Sequence, residues 1–112
     1  MRYFKRYWDE PRGGEHVAWG CSWWYFETDD TGIVSRQVEV YDHGPTLRYD
    51  GGRLNDEYGG LSDHSLDLGE FASFEVQRDE FERVWDVGGQ PRPAEPSYVL
   101  VNLNKCSESG YV

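Results

Sequence analysis

Two runs of strand-forming residues flank a short polar turn in the first half of the chain, and no other feature restricts the fold as strongly. Residues 23–28 read Trp-Trp-Tyr-Phe-Glu-Thr, residues 29–32 Asp-Asp-Thr-Gly, and residues 33–41 Ile-Val-Ser-Arg-Gln-Val-Glu-Val-Tyr. Aromatic and β-branched side chains suit a pleated, half-buried surface, and a polar Gly-ended turn between two such runs closes an antiparallel hairpin. Strand alternation puts Trp23 and Tyr25 on one face and Trp24 and Phe26 on the other. On the second run Val34, Arg36, Val38 and Val40 are expected to share a face. A guanidinium among valines needs a partner, and a turn centred on Thr31 and Gly32 places Glu27 directly opposite Arg36.

Residues 2–8 are aromatic and roughly alternating, which predicts a first strand that ends at the Pro11, Gly13 and Gly14 breakers. A turn at 42–45 and a short strand at 46–49 follow the hairpin. Residues 50–60 carry four glycines and read as a loop that buries little. Residues 74–76 read as a brief strand. Residues 79–85 read as a short helix with Phe81, Val84 and Trp85 on one face, acidic residues in its first turn and Gly88-Gly89 at its end. Pro91, Pro93 and Pro96 stiffen a connector over 90–96, and residues 97–104 read as a last strand, with a tail to 112. The expected fold is α+β: an antiparallel sheet of four to six short strands with one short helix packed on it, in a single domain spanning 1–112.

The 112 residues carry a net charge of -10, with eleven acidic and three basic side chains in the stretch 50–86 alone. Such a surface repels phosphate backbones and anionic lipid, so no nucleic acid and no membrane is expected as a partner, and a basic protein is. The basic N-terminus lacks the apolar run of a signal peptide, and no stretch reaches transmembrane length, which predicts a cytoplasmic protein. Cys21 and Cys106 have no metal or redox spacing; two ordinary thiols are expected, with a disulfide as the alternative. His16, His43 and His64 are scattered beside turns without the spacing of a metal site, and Ser62, Ser65 and Ser73 lack a nucleophile elbow. No catalytic motif, metal site or cofactor is therefore expected.

The stretch from Tyr25 to Trp85 resembles a family of small bacterial domains of unknown function. The resemblance is carried by Tyr25-Phe26-Glu27-Thr28-Asp29-Asp30, by Arg36-Gln37-Val38-Glu39-Val40 with the Asp-x-Gly turn after it, by Gly51-Gly52, and by Phe74-Glu75-Val76 leading to Glu80-Phe81-Glu82-Arg83-Val84-Trp85. It implies a family-like core over 25–86 and assigns no activity. Small acidic proteins of this kind resemble immunity proteins or antitoxins.

Two functional readings follow. In the first, the chain is a non-catalytic acidic domain that binds a basic protein through Asp50, Asp56, Glu57, Asp63 and Asp67, whose carboxylates are expected to be solvated. In the second, it is a small enzyme or ligand-binding domain with an aromatic pocket formed by Trp23, Tyr25, Glu27, Arg36, Glu39 and Tyr41. The ordinary structural alternatives are a solubilising acidic surface, an ion pair that ties the hairpin together, and an aromatic core filled on both sides of the sheet.

Overall fold

The computed structural model of the chain describes residues 1–88. The connector at 90–96, the strand expected at 97–104, the tail and Cys106 lie outside the described residues.

β1 (Arg2–Trp8), β2 (Ser22–Thr28), β3 (Val34–Tyr41) and β4 (Thr46–Tyr49) form a four-stranded antiparallel sheet in sequential order. β5 (Asn55–Asp56) and β6 (Gly59–Gly60) pair as a separate two-stranded ribbon. α1 (Leu68–Phe71), a 3-10 turn (Ala72–Phe74) and α2 (Arg78–Val87) complete a mixed α+β fold. The β2–β3 register sets Glu27 opposite Arg36 and Tyr25 opposite Val38. Its turn is held by Asp29, whose carboxylate accepts from the main-chain and hydroxyl groups of Thr31 at 2.8 and 2.7 Å and from the Ile33 N–H at 3.0 Å. Gly32 closes it at φ +93°, which L side chains rarely adopt.

The hairpin departs from simple alternation at one point. A bulge after Glu27 pairs Thr28 with Val34 and leaves Ser35 as the extra residue. Thr28 and Glu27 are neighbours on β2 and point to opposite faces, so Val34 faces away from Arg36. The expectation that Val34 shares a face with Arg36, Val38 and Val40 is corrected for Val34 alone.

Both faces of the sheet are covered. On one, Tyr3, Tyr25 and Val38 meet fully buried Phe81 of α2, with Val40, Val76, Val84 and Trp85 around them. The spacing of Phe81, Val84 and Trp85 gives α2 one apolar stripe, and packing that stripe is what stabilises so short a helix. Arg36 lies 4.9 Å over both the Phe81 and Trp85 rings, and Arg48 lies 5.0 Å over Trp85. On the opposite face, Phe4 and Phe26 meet the Phe71 ring edge-on, each at 5.9 Å. Tyr41, Leu47 and Tyr49 there are covered by Trp19, Tyr58 and Leu61. Tyr58 and Leu61 thus supply apolar cover for the sheet, while most of residues 50–60 are exposed, as expected of a segment that buries little, with the β5–β6 ribbon formed inside it.

Residues 74–76 form no strand. A single bridge joins Glu75 to Phe4, and the Val76 N–H donates to the Tyr3 carbonyl at 2.9 Å, because the Ala72–Phe74 turn immediately before leaves room for no longer pairing. Cys21, fully buried, is not a free thiol, so the expectation of two ordinary thiols does not hold for it. Among the described residues no helix is long and apolar enough to cross a membrane.

Candidate functional site

The residues expected to share one pocket divide between the two faces. Trp23, Tyr25, Glu27 and Arg36 lie on the α2 side; Glu39 and Tyr41 lie on the other. Antiparallel partners share a face, and Glu39 pairs with Trp24, not with Tyr25, so alternation along β3 separates it from Arg36. The pocket of six is therefore corrected to two unconnected groups.

On the α2 side, Arg36 is clamped between two carboxylates. Its Nε and Nη2 donate to Glu27 at 3.0 and 2.7 Å, and its Nη1 and Nη2 donate to Glu82 at 3.1 and 2.6 Å. Glu27 also accepts from the Ser35 hydroxyl at 2.7 Å and the Tyr3 hydroxyl at 3.1 Å. The Arg36 hydrogen bond, aided by Ser35 and Tyr3, outweighs burial and holds the Glu27 carboxyl down at about 2. Arg36 in turn depresses Glu82. Every donor of this group that faces inward has an acceptor already, which is the arrangement of a structural tie.

The opposite face carries a different kind of group. Glu39 is 3% exposed, deep on β3. Its two oxygens accept from the Tyr41 hydroxyl at 2.7 Å and from the Gln37 amide at 2.8 Å. The same Gln37 amide donates to the Gly60 carbonyl at 3.0 Å and accepts from the Ser62 N–H at 2.9 Å, so the network reaches from β3 into the segment beyond β6. Burial pushes the Glu39 carboxyl above its ordinary value against the pull of those donors. Burial, followed by the nearby Glu39 charge, likewise pushes the Tyr41 hydroxyl up.

Arg12, from the Pro-Arg-Gly-Gly segment after β1, crosses this region. It donates to the Tyr41 hydroxyl at 3.2 Å and to the Tyr58 carbonyl, with its guanidinium 5.4 Å from the Trp19 ring centre and 5.6 Å from that of Tyr41. A cleft of about 290 Å³ opens beside it. Ser22, Trp24, Glu39 and Tyr41 come from the sheet, Trp8, Glu10, Pro11 and Arg12 from β1 and the chain after it, and Tyr58, Gly59 and Gly60 from the ribbon. A larger, more apolar groove of about 520 Å³ shares Trp8 and Trp24 with it and runs on past Phe26 to Phe71.

Three of the five carboxylates expected to form an acidic contact surface are engaged within the fold. Asp50 accepts from the Gly52 and Arg53 N–H groups at 2.8 and 3.1 Å. Asp56 accepts from the Tyr49 hydroxyl at 2.8 Å, the Tyr58 N–H at 2.9 Å and Arg53 at 3.4 Å. Asp67 caps α1 through the Gly69 and Glu70 N–H groups. An Asp beside a turn or helix start satisfies main-chain donors that would otherwise have no partner. The expected solvated state is corrected for Asp56, whose side chain is largely buried; Asp50 and Asp67 make their bonds at the exposed surface. Glu57 and Asp63 are exposed.

The histidines do not converge. His16 stacks on Trp19 at 4.2 Å, while His64 meets its neighbour Asp63 at 3.4 Å with both side chains 90% exposed. No group of three or more His, Cys, Asp or Glu among the described residues is placed to hold a metal ion. Sequence reasoning missed Trp8, Arg12, Trp24 and Tyr58 as cleft residues. Only Trp24 carried a signal, as the cross-strand neighbour of Glu39.

A scan of protein-family models and searches of curated proteins and of solved structures found no match to this chain.

Proposed function

We propose that the chain is a non-catalytic binding domain that engages a basic protein through its acidic surface. The observation that carries this reading is the internal use of eight of the nine Lys and Arg side chains among the described residues. Arg2, Lys5, Arg6, Arg36, Arg53 and Arg78 are each held in an ion pair with a carboxylate of the same chain. Arg12 and Arg48 donate to main-chain carbonyls. With cations so committed and a net charge of -10, the surplus falls on exposed carboxylates such as Asp30, Glu57, Asp63, Asp79 and Asp86. Such a field accelerates encounter with a positively charged partner and discriminates against acidic ones. An immunity protein or antitoxin that covers a basic toxin's cleft would have this character.

The test is capture of a basic protein from the source cell's lysate by the tagged chain. Capture at about 50 mM salt should fall steeply by about 500 mM, where screening lengths shrink to a few ångströms. The double variant E57K/D63K should capture less at low salt while melting like the parent. Capture indifferent to both salt and charge reversal would overturn the reading.

A further inference from the structure

We infer that the cleft beside Glu39 is a binding site for one compact organic cation, an alkylguanidinium or alkylammonium group. Glu39 stands at its floor, and the aromatic rings of Trp8, Trp24 and Tyr58 stand around it.

Three observations lead there. Glu39 is almost fully buried, yet both its oxygens are served by neutral donors, Gln37 and Tyr41, and among the described residues it is in no ion pair. That contrasts with Glu27, whose burial is compensated by a two-point guanidinium contact. A buried carboxylate is stabilised most by a cation close to it, and the cleft gives one access. Secondly, the cleft is aromatic on several sides, and a ring face attracts a cation through its quadrupole, more strongly with water excluded. Thirdly, the region already holds a guanidinium: Arg12 lies against the Trp19 and Tyr41 rings and spends donors on the Tyr41 hydroxyl and the Tyr58 carbonyl, beside Glu39 rather than on it. The volume of about 290 Å³ admits a side-chain-sized group and little more. Trp8, 54% exposed, forms an open rim through which such a group enters.

The cation's source is either an Arg or Lys side chain of the basic partner proposed above or a small free amine; only the first source rests on that proposal. Butylguanidinium and the blocked peptide acetyl-Gly-Arg-Gly-amide serve as probes, followed by the indole N–H signals of Trp8 and Trp24 in 1H–15N spectra of the full chain. Saturable shifts confined to the cleft, with a midpoint on the order of millimolar, are expected for butylguanidinium. Tighter binding of the peptide identifies a side chain as the natural occupant, and equal binding a free amine. Glu39→Gln should weaken either probe about tenfold by removing the counter-charge. Trp8→Ala, a change at an exposed ring that leaves the sheet intact, should weaken it several-fold. Arg12→Ala should tighten it, since a like charge leaves the site. Linear, unsaturable shifts, unchanged affinity in both the Glu39 and Trp8 variants, or weaker binding in the Arg12 variant would overturn the assignment. Capture of a basic protein in E57K/D63K is read separately, so failure of the cleft and failure of the acidic surface are distinguishable.

Discussion

Glu27 and Arg36 are direct partners across the β2–β3 pair and meet through two hydrogen bonds of 3.0 and 2.7 Å, with Glu82 of α2 closing on the same guanidinium at 2.6 Å. One arginine therefore joins the hairpin to the helix. Arg36→Met should cost about 3–5 kcal/mol, because Glu27 would be left buried without its cation. A denaturant midpoint that falls at constant slope checks this; the double variant that also carries Glu27→Gln should recover part of the loss.

The two buried glutamates should act oppositely on the pH dependence of folding. Glu27 titrates near 2 in the folded chain against an ordinary 4.5, so its contribution is present above 4.5 and is lost as pH falls towards 2. Glu75 and Glu82, also lowered by arginines, add to the same acid limb. Glu39 is raised above 4.5, so its contribution is complete below that value and is lost as pH rises through its folded value. Glu27→Gln should flatten the acid limb, and Glu39→Gln should gain on the parent as pH rises. Stability measured by denaturant titration from pH 2 to 8 checks both slopes.

Phe81 is fully buried between Tyr3 and Trp85, with ring centres 5.3 and 6.2 Å away. Phe81→Ala should cost about 3–5 kcal/mol through lost burial and the cavity left behind. Loss of helical circular dichroism at lower denaturant than the parent, with exposed Val87→Ala as an unaffected control, checks it.

Gly32 sits at φ +93°, and a Cβ there would meet the Leu66 carbonyl oxygen at 2.5 Å. The Gly32 carbonyl also accepts from the Leu66 N–H at 2.9 Å, which docks the chain before α1 onto the hairpin turn. Gly32→Ala should destabilise by more than about 1 kcal/mol. Amide exchange in residues 61–67 faster than in the parent, beyond the global change, locates the effect.

The β2–β3 hairpin, its register, the Glu27–Arg36 pair and the apolar stripe of α2 were legible in the sequence. Each follows from alternation, turn chemistry or helical spacing between near neighbours, whose geometry the backbone sets without help from the rest of the chain. The Ser35 bulge was not, since a one-residue shift leaves the pattern of apolar residues almost unchanged while turning Val34 to the other face. Glu82 as the third member of the Arg36 group was likewise invisible, because it depends on how α2 lies across the sheet. The roles of Asp50, Asp56 and Asp67 turned on whether their carboxylates would find main-chain donors, which composition cannot tell. The cleft at Glu39 is the clearest case. Its walls come from residues 8–12, 22–24, 39–41 and 58–60, four stretches that meet only when the sheet has formed and the chain has crossed it. Local chemistry determined the strands and their pairing; only the long-range packing of the chain onto the sheet decided which buried carboxylate is held in an ion pair and which is served by neutral donors beside an aromatic cleft.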